Sequence, residues 1–283
     1  KKINLVQDTI DQNDLERLSK WIGTNPRLTK GELTVEFEQA WSEWIGCKHS
    51  VFVNSGSSAN LAIMYGLIVS KKLKNKKVVL PCLSWVTTVS PAIQLGLEPI
   101  LCGTDEETLG LDLENLETIF KEEQPSVLML VHALGFPNQL DEILNLCKRH
   151  DVLLIEDSCE TVGSTHGGVK TGNFGFASSF STYFGHHFST IEGGFVCTND
   201  TDFYNILKSI RSHGWSRDLD SSAQKKLQEK HDIDDFRNLY TFYYPGFNLR
   251  STDLQAFIGL GQLKKLDDIC KKRNSNYKLY DKL

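Results

Sequence analysis

The chain has no run of about 18 apolar residues, the length a membrane-crossing helix requires, and so offers no such span. Closely spaced cysteines are missing as well. The seven cysteines stand at 47, 82, 102, 147, 159, 197 and 270, an odd number with no two closer than twelve positions. That spacing excludes CxC and CxxC motifs and does not form a disulfide framework. It reads as buried, reduced thiols of a cytoplasmic protein. Excess positive charge is absent too, since the net charge is −5. No global attraction to nucleic acid or to an anionic membrane follows, so any anion must be held by a local site. The polar opening KKINLVQDTIDQND is not a signal peptide, and no internal repeat or low-complexity linker interrupts the chain.

What is present is an ordinary globular composition, 40% hydrophobic and 24% charged over 283 residues. That length suffices for one large domain, or for a domain and part of another. The apolar runs HSVFVNSG, KVVLPCLSW, EPILC, SVLMLVHAL and VLLIEDS predict buried strands. Between them, helical periodicity covers residues 57–69, 87–95, 113–121 and 140–149. This β-α alternation predicts a three-layer α/β/α fold, a doubly wound and mostly parallel sheet covered on both faces. Ligands gather at the carboxyl ends of the strands in such sheets.

Two segments stand apart. Residues 224–235 (QKKLQEKHDIDD) read as a solvated insertion or mobile loop. From Thr252 onward, Leu254, Phe257, Ile258, Leu260, Leu263, Leu266 and Ile269 keep a helical period that runs to Leu283 without a Gly or Pro stop. The expected organisation is therefore a large α/β domain over 1–250 with an N-terminal helical segment. Residues 251–283 would form one long helix leading into a small C-terminal domain that is cut short.

Four stretches carry candidate chemistry. In NSGSSAN (54–60), between a strand and a helix, Gly56 allows a tight turn, and Ser57 and Ser58 place hydroxyls and N–H groups at a helix start. That arrangement suits a phosphate or an ordinary serine cap. In LIEDSCE (154–160), Asp157 stands at a strand tip, where a carboxylate suits a protonated ring nitrogen, a metal or a helix cap. Trp85, in PCLSWVTT, offers a stacking plate or a core residue. The adjacent His186 and His187, in STYFGHHFSTIEGG, could serve proton transfer, a metal or a solvated loop. Adjacent histidines on a strand point to opposite faces, which disfavours a shared ion. Phosphate cradle, acid and aromatic plate together are the equipment of pyridoxal phosphate, yet no lysine stands nearby. The flanking ones are Lys170 and Lys208.

The stretches LTKGELTVEFEQAW, NSGSSAN, LSWVTT, GFPNQLDEI, IEDSCE, GNFG, HHFSTIEGG, IRSHGW and YPGFNLRSTDLQAFIGLGQL span essentially the whole chain. With them the sequence resembles the DegT-type family of fold-type I pyridoxal phosphate enzymes, which act on nucleotide-linked keto sugars. The resemblance implies the aspartate aminotransferase-like transferase fold and a homodimer with shared active sites. Gly56, Ser57 and Ser181 would hold the cofactor phosphate, Asp157 the pyridine nitrogen, Trp85 the ring face, and Glu160 the neighbourhood of the ring hydroxyl. Asn248 would reach the phosphate of the neighbouring subunit, and His213 and Arg250 would contact substrate. Most members carry a lysine six residues before the Glu of the EGG turn. Here that position, counted from Glu192, is His186. Gly185 before it stands where Ser is expected.

A histidine there marks the deoxygenating branch, the sugar 3-dehydratases, and the missing CxC points to the type without an iron–sulfur cluster. The implied reaction removes the 3-hydroxyl of GDP-4-keto-6-deoxymannose, using pyridoxamine phosphate held non-covalently. L-glutamate would regenerate the amine form, ammonia would be released, and the product would serve deoxysugar and O-antigen (lipopolysaccharide) synthesis. Imidazole, with an ordinary pKa of about 6.5, suits such proton transfers better than lysine at about 10.4. A sugar aminotransferase and a non-catalytic cofactor-binding relative are the alternatives.

Overall fold

A computed structural model describes residues 6–282, so Lys1 to Leu5 of the polar opening and the final Leu283 lie outside the described residues. In chain order the main elements are α1 (Gln12–Ile22), α2 (Glu32–Ile45), β1 (His49–Val53), α3 (Gly56–Val69), β2 (Lys77–Pro81), α4 (Val86–Gln94), β3 (Glu98–Cys102), α5 (Leu113–Glu123), β4 (Val127–Val131), α6 (Leu140–His150) and β5 (Leu153–Asp157). A two-residue hairpin follows, β6 (Thr165–His166) with β7 (Val169–Lys170). The chain continues through β8 (Ala177–Ser181), β9 (Gly194–Thr198), α7 (Thr201–Arg211), α8 (Ser221–His231), α9 (Asp235–Asn238), α10 (Asp253–Leu263) and α11 (Leu266–Tyr280).

The seven-stranded sheet has the order β1-β9-β8-β5-β4-β2-β3. β8, β5, β4, β2 and β3 are mutually parallel, whereas β9 runs against both β8 and β1. Alternating side chains feed two faces, as strand geometry requires. Val78, Leu80, Val127, Met129 and Ile155 pack under α3 and α7 on one face. Val79, Leu128, Leu130 and Leu154 meet α5 and α6 on the other. On that second face Phe52, Phe180 and Phe195 stack with Phe37 and Trp41 of α2 and with Ala256 of α10. The predicted three-layer α/β/α architecture is what forms. The sheet turns its parallel carboxyl ends, together with the start of β9, toward one edge, and every strand-tip motif lies there.

Three expectations need correction. EPILC is a strand but not a buried one: β3 is the sheet edge, and Leu101 is 57% exposed. Residues 224–235 are not a loop. They lie mostly in α8, which Asp220 caps by accepting from the N–H of Ala223, and the charged residues are simply its solvated sides. The continuous C-terminal helix is two helices. α10 begins in a capping box of Thr252 and Gln255, ends at Leu263, and gives way to α11 at Leu266, which is buried in the core under α2. Lys264 and Lys265 separate the two helices, a break that no glycine or proline announces.

Candidate active site

Asp157 ends β5 and is buried. Its Oδ2 accepts from Asn60 Nδ2 at 2.8 Å and Thr88 Oγ1 at 3.0 Å, and its Oδ1 accepts from the N–H of Cys159 at 3.2 Å. These donors come from α3, α4 and the turn after β5. No cation pairs with this carboxylate among the described residues. A buried carboxylate held by neutral donors alone is poised to receive a cationic group.

The NSG turn lies beside it. Ser55, rather than Ser57 or Ser58, caps α3: its Oγ accepts from the N–H of Ser58 at 3.0 Å. The Ser57 hydroxyl is thereby left to meet Thr87 Oγ1 at 3.1 Å. The first-turn N–H groups of a helix have no internal acceptor, and the helix dipole favours an anion there. Ser181, the last residue of β8, sits against Gly56 so closely that a Cβ on the glycine would stand 2.7 Å from the Ser181 Cβ. In the register of β9, Gly194 lies between Val53 and Ser181. A Cβ on Gly194 would stand 2.5 Å from the carbonyl carbon of Ser55 and 2.6 Å from the nitrogen of Gly56. The second glycine of EGG is therefore what lets the cradle close over the sheet.

Trp85 precedes α4 by one residue, three before Thr88, and its ring is 71% exposed. It is not a core residue. Glu160 accepts from the backbone N–H of Leu134 at 2.6 Å, joining the turns after β5 and β4.

The double histidine lies in irregular chain between β8 and β9, not on a strand, so alternation of strand faces does not govern it. The two rings nevertheless have different surroundings. His186 is half-buried, and its backbone N–H donates to the carbonyl of Tyr183 at 3.0 Å. Burial lowers its pKa below the ordinary 6.5. The carboxylates of Glu160 and Asp157 oppose that, and Arg273 adds to it. His186 therefore shares the electrostatic field of the Asp157 site. His187 is buried, and desolvation, helped by Arg273 and His186, pushes it down to about 3. It lines a cleft of about 450 Å³ with Leu134, Cys270, Arg273 and Tyr277.

Asn248, Arg250 and His213 form a second group. Arg250 Nε donates to Asn248 Oδ1 at 3.0 Å, Ser212 bridges to Asn248, and the N–H of His213 donates to Phe247 at 2.7 Å. Asn248 and Arg250 are exposed. Arg250 bridges to Val53, and the N–H of Asn54 donates to the Leu249 carbonyl, so the group flanks the NSG turn. His213 holds a left-handed backbone at φ 65°.

Sequence reasoning missed the partners of these residues. Asn60 was in view within NSGSSAN, and its place one helical turn after Gly56 was the available signal. Thr88 follows Trp85 by three. Glu156 gave no signal: it is wholly buried and accepts from the N–H groups of Gly172, Phe174 and Gly175, each at 2.7 Å, and from His132 Nε2 at 3.1 Å. Among the described residues no group of three or more His, Cys, Asp or Glu side chains is placed to hold a metal ion.

Comparison with known proteins agrees with this geometry. The chain is 36% identical over 282 residues to the GDP-4-keto-6-deoxy-D-mannose 3-dehydratase of Yersinia pseudotuberculosis, covering 99% of this chain and 71% of that one. The enzyme of the same name from Escherichia coli O55:H7 is 36% identical over 252 residues, 88% of this chain and 64% of its relative. The chain thus spans about two thirds of the length of these relatives. A solved structure of the E. coli GDP-4-keto-6-deoxy-D-mannose-3-dehydratase with bound hydrated PLP superposes with a TM-score of 0.85 at 32% identity, covering 94% of this chain and 68% of that one. The model of the DegT/DnrJ/EryC1/StrS aminotransferase family matches residues 8–283. The strand-tip acid, the serine cradle and the EGG turn are thus set in the fold of that family, and the chain belongs to the DegT/DnrJ/EryC1/StrS aminotransferase family.

Proposed function

We propose that the chain is a 3-dehydratase that uses pyridoxamine phosphate to remove the 3-hydroxyl of a nucleotide-linked 4-keto-6-deoxy sugar, GDP-4-keto-6-deoxymannose above all. L-glutamate restores the amine form of the cofactor, and ammonia is released. The observation that carries the reading is His186, six residues before Glu192, in a site that no neighbouring lysine reaches. Lys170 donates to the Trp44 carbonyl at 2.6 Å and lies 4.6 Å over the Trp44 ring. Lys208 lies 5.2 Å over the Tyr204 ring of its own helix, in the field of Glu38, Arg211 and Asp218.

The residues present fit a pyridoxal-type cofactor, because Asp157 is a buried carboxylate without a cation and the Gly56 cradle has first-turn N–H groups to offer. Asp157 would hold the ring nitrogen; Gly56, Ser57 and Ser181 the phosphate; Trp85 the ring face; Glu160 the side of the ring hydroxyl. Bound there, the cofactor supplies an amine for the keto carbon and a conjugated ring that accepts electrons. His186 is the proton carrier. Its lowered pKa keeps the imidazole neutral and basic near pH 7, and once protonated it can deliver that proton to the departing 3-oxygen of the sugar. With no lysine amine in place to displace the product covalently, the site favours removal of oxygen over transfer of nitrogen.

The assembly is read as a homodimer with shared sites, Asn248 serving the neighbouring phosphate and His213 and Arg250 the substrate. Supporting this are the exposure of Asn248 and Arg250 beside the NSG turn and the exposed apolar residues Leu83, Trp85, Val86 and Leu134 around the strand ends. A cytoplasmic setting in deoxysugar and O-antigen synthesis is supported by seven free thiols; no helix among the described residues is long and apolar enough to cross a membrane. A division of the chain near residue 250 would leave α10, which packs Ala256 against α2, with the large domain, and only α11, in which Leu266 alone is buried, standing apart.

The test is incubation with pyridoxamine phosphate, glutamate and GDP-, CDP-, dTDP- and UDP-linked 4-keto-6-deoxy sugars, following 2-oxoglutarate, ammonia and sugar mass. Ammonia with a deoxy product is expected. An amino sugar without ammonia would make the chain an aminotransferase, and retained cofactor without turnover would make it a non-catalytic relative.

A further inference from the structure

We propose that Asn60 and Thr88 are positioning residues for the cofactor: together they fill one oxygen of Asp157 so that its other oxygen alone receives the ring nitrogen. The inference rests on the cofactor reading above and concerns two side chains to which that reading assigns nothing. An ionised carboxylate offers about four lone-pair sites, two on each oxygen. Asn60 Nδ2 and Thr88 Oγ1 occupy both sites of Oδ2, at 2.8 and 3.0 Å. The N–H of Cys159 takes one site of Oδ1 at 3.2 Å. Oδ1 is the oxygen left with room, shared with the neighbouring Cys159 thiol, and that is where a ring N–H would be accepted.

The orientation of the Asn60 amide follows from its neighbours. Nδ2 faces two acceptors, Asp157 Oδ2 and the Thr87 carbonyl at 3.2 Å, so turning the amide over would set oxygen against oxygen twice. In the orientation adopted, Asn60 Oδ1 is buried without a partner. Asn173 Oδ1 and Gln262 Oε1 are likewise without partners, so what sets Asn60 apart is its donor, aimed at Asp157. Both donors are neutral, so neither supplies the positive charge the carboxylate lacks. Asn60 and Thr88 also hang on the cradle. Asn60 lies one turn after Gly56 on α3, and Thr88 follows Thr87, whose hydroxyl meets Ser57. The distance from the phosphate cradle to the ring acid is thus set by two helix starts tied to one carboxylate oxygen.

The experiment measures pyridoxamine phosphate binding, by fluorescence titration, for the wild type and for Thr88→Ser, Thr88→Val, Asn60→Ala, Asn60→Asp and Asp157→Asn. Thermal unfolding without cofactor is followed in parallel. Loss of one hydrogen bond to a charged group corresponds to roughly a 10- to 100-fold weakening. Thr88→Val and Asn60→Ala should weaken binding by that much while leaving cofactor-free thermal unfolding close to that of the wild type. Thr88→Ser, which keeps the hydroxyl, should bind as the wild type does. Asn60→Asp, which sets a like charge against Asp157, should lose binding altogether. Thr88→Val and Asn60→Ala binding with wild-type affinity, while Asp157→Asn fails to bind, would overturn the inference and leave the cofactor reading intact. A wild type that does not bind pyridoxamine phosphate would overturn both. Should Thr88→Val unfold, the comparison of Asn60→Ala with Thr88→Ser at matched folded fraction decides by the same criteria.

Discussion

His132 Nε2 and Glu156 Oε2 meet at 3.1 Å with both side chains fully enclosed. The nitrogen must be the donor, because His132 Nδ1 accepts from the N–H of Asn138 at 3.2 Å. The carboxylate then collects four donors, His132 and the turn N–H groups of Gly172, Phe174 and Gly175. Each oxygen takes two, so the glutamate pins the GNFG turn to β5 immediately beside Asp157.

Glu156→Gln puts an NH₂ group against two donors whichever way the amide turns. Destabilisation of about 2–4 kcal/mol is expected, the range for leaving buried donors unsatisfied around a lost charge. Urea unfolding of the two proteins measures it, and a difference under about 0.5 kcal/mol, the scatter of neutral surface changes, would contradict the arrangement.

Replacing His186 tests the chemistry directly. His186→Asn should abolish dehydration and leave cofactor affinity measurable, and full activity in that variant would remove the histidine from the mechanism. His186→Lys should give a shifted cofactor absorbance band, as the amine bonds to the aldehyde form. As a general base His186 would have to be neutral, and burial holds its pKa below 6.5. The rate should therefore persist as pH falls to 6.5 and be lost only below it, as the imidazole protonates.

His187 should make stability depend on pH. Its folded pKa of about 3 lies below the ordinary 6.5. Above pH 6.5 it is neutral folded or unfolded and has no effect. Between 6.5 and 3 only the unfolded chain takes up the proton, so stability falls as pH drops, with a limiting slope of about 1.4 kcal/mol per pH unit. His187→Leu should show a shallower decline from pH 6 to 4 in chemical denaturation. Parallel curves would show that the ring is accessible to protons in the folded state.

Gly194→Ala adds a methyl facing the backbone of Ser55 and Gly56, where no flexible side-chain tip can yield. Overpacking of this kind costs about 1–3 kcal/mol, and the cradle is the part that must shift. Phosphate-dependent cofactor retention on gel filtration should drop more than thermal stability does. A variant that retains cofactor like the wild type would show that the cradle has slack.

Much of this was legible in the chain, because the signals are local. Alternating apolar runs and helical periods specify the α/β layers, since burying a strand on both faces demands continuous apolar residues. A serine, glycine or acid at a strand tip marks the ligand edge wherever parallel strands end together. The position of His186 relative to Glu192 is a matter of counting, and its meaning comes from the resemblance to the family. Other features depended on which element lies next to which. EPILC looks buried, but it is the last strand of the sheet and nothing covers Leu101. A helix polar all round, like α8, resembles a loop until its Asp220 cap is noticed. The pairing of Asn60 with Asp157, 97 residues apart, and the four donors on Glu156 arise only when α3, β4, β5 and the 172–175 turn converge. A buried polar atom must find partners wherever the fold brings them, and no local pattern records which distant atoms those will be.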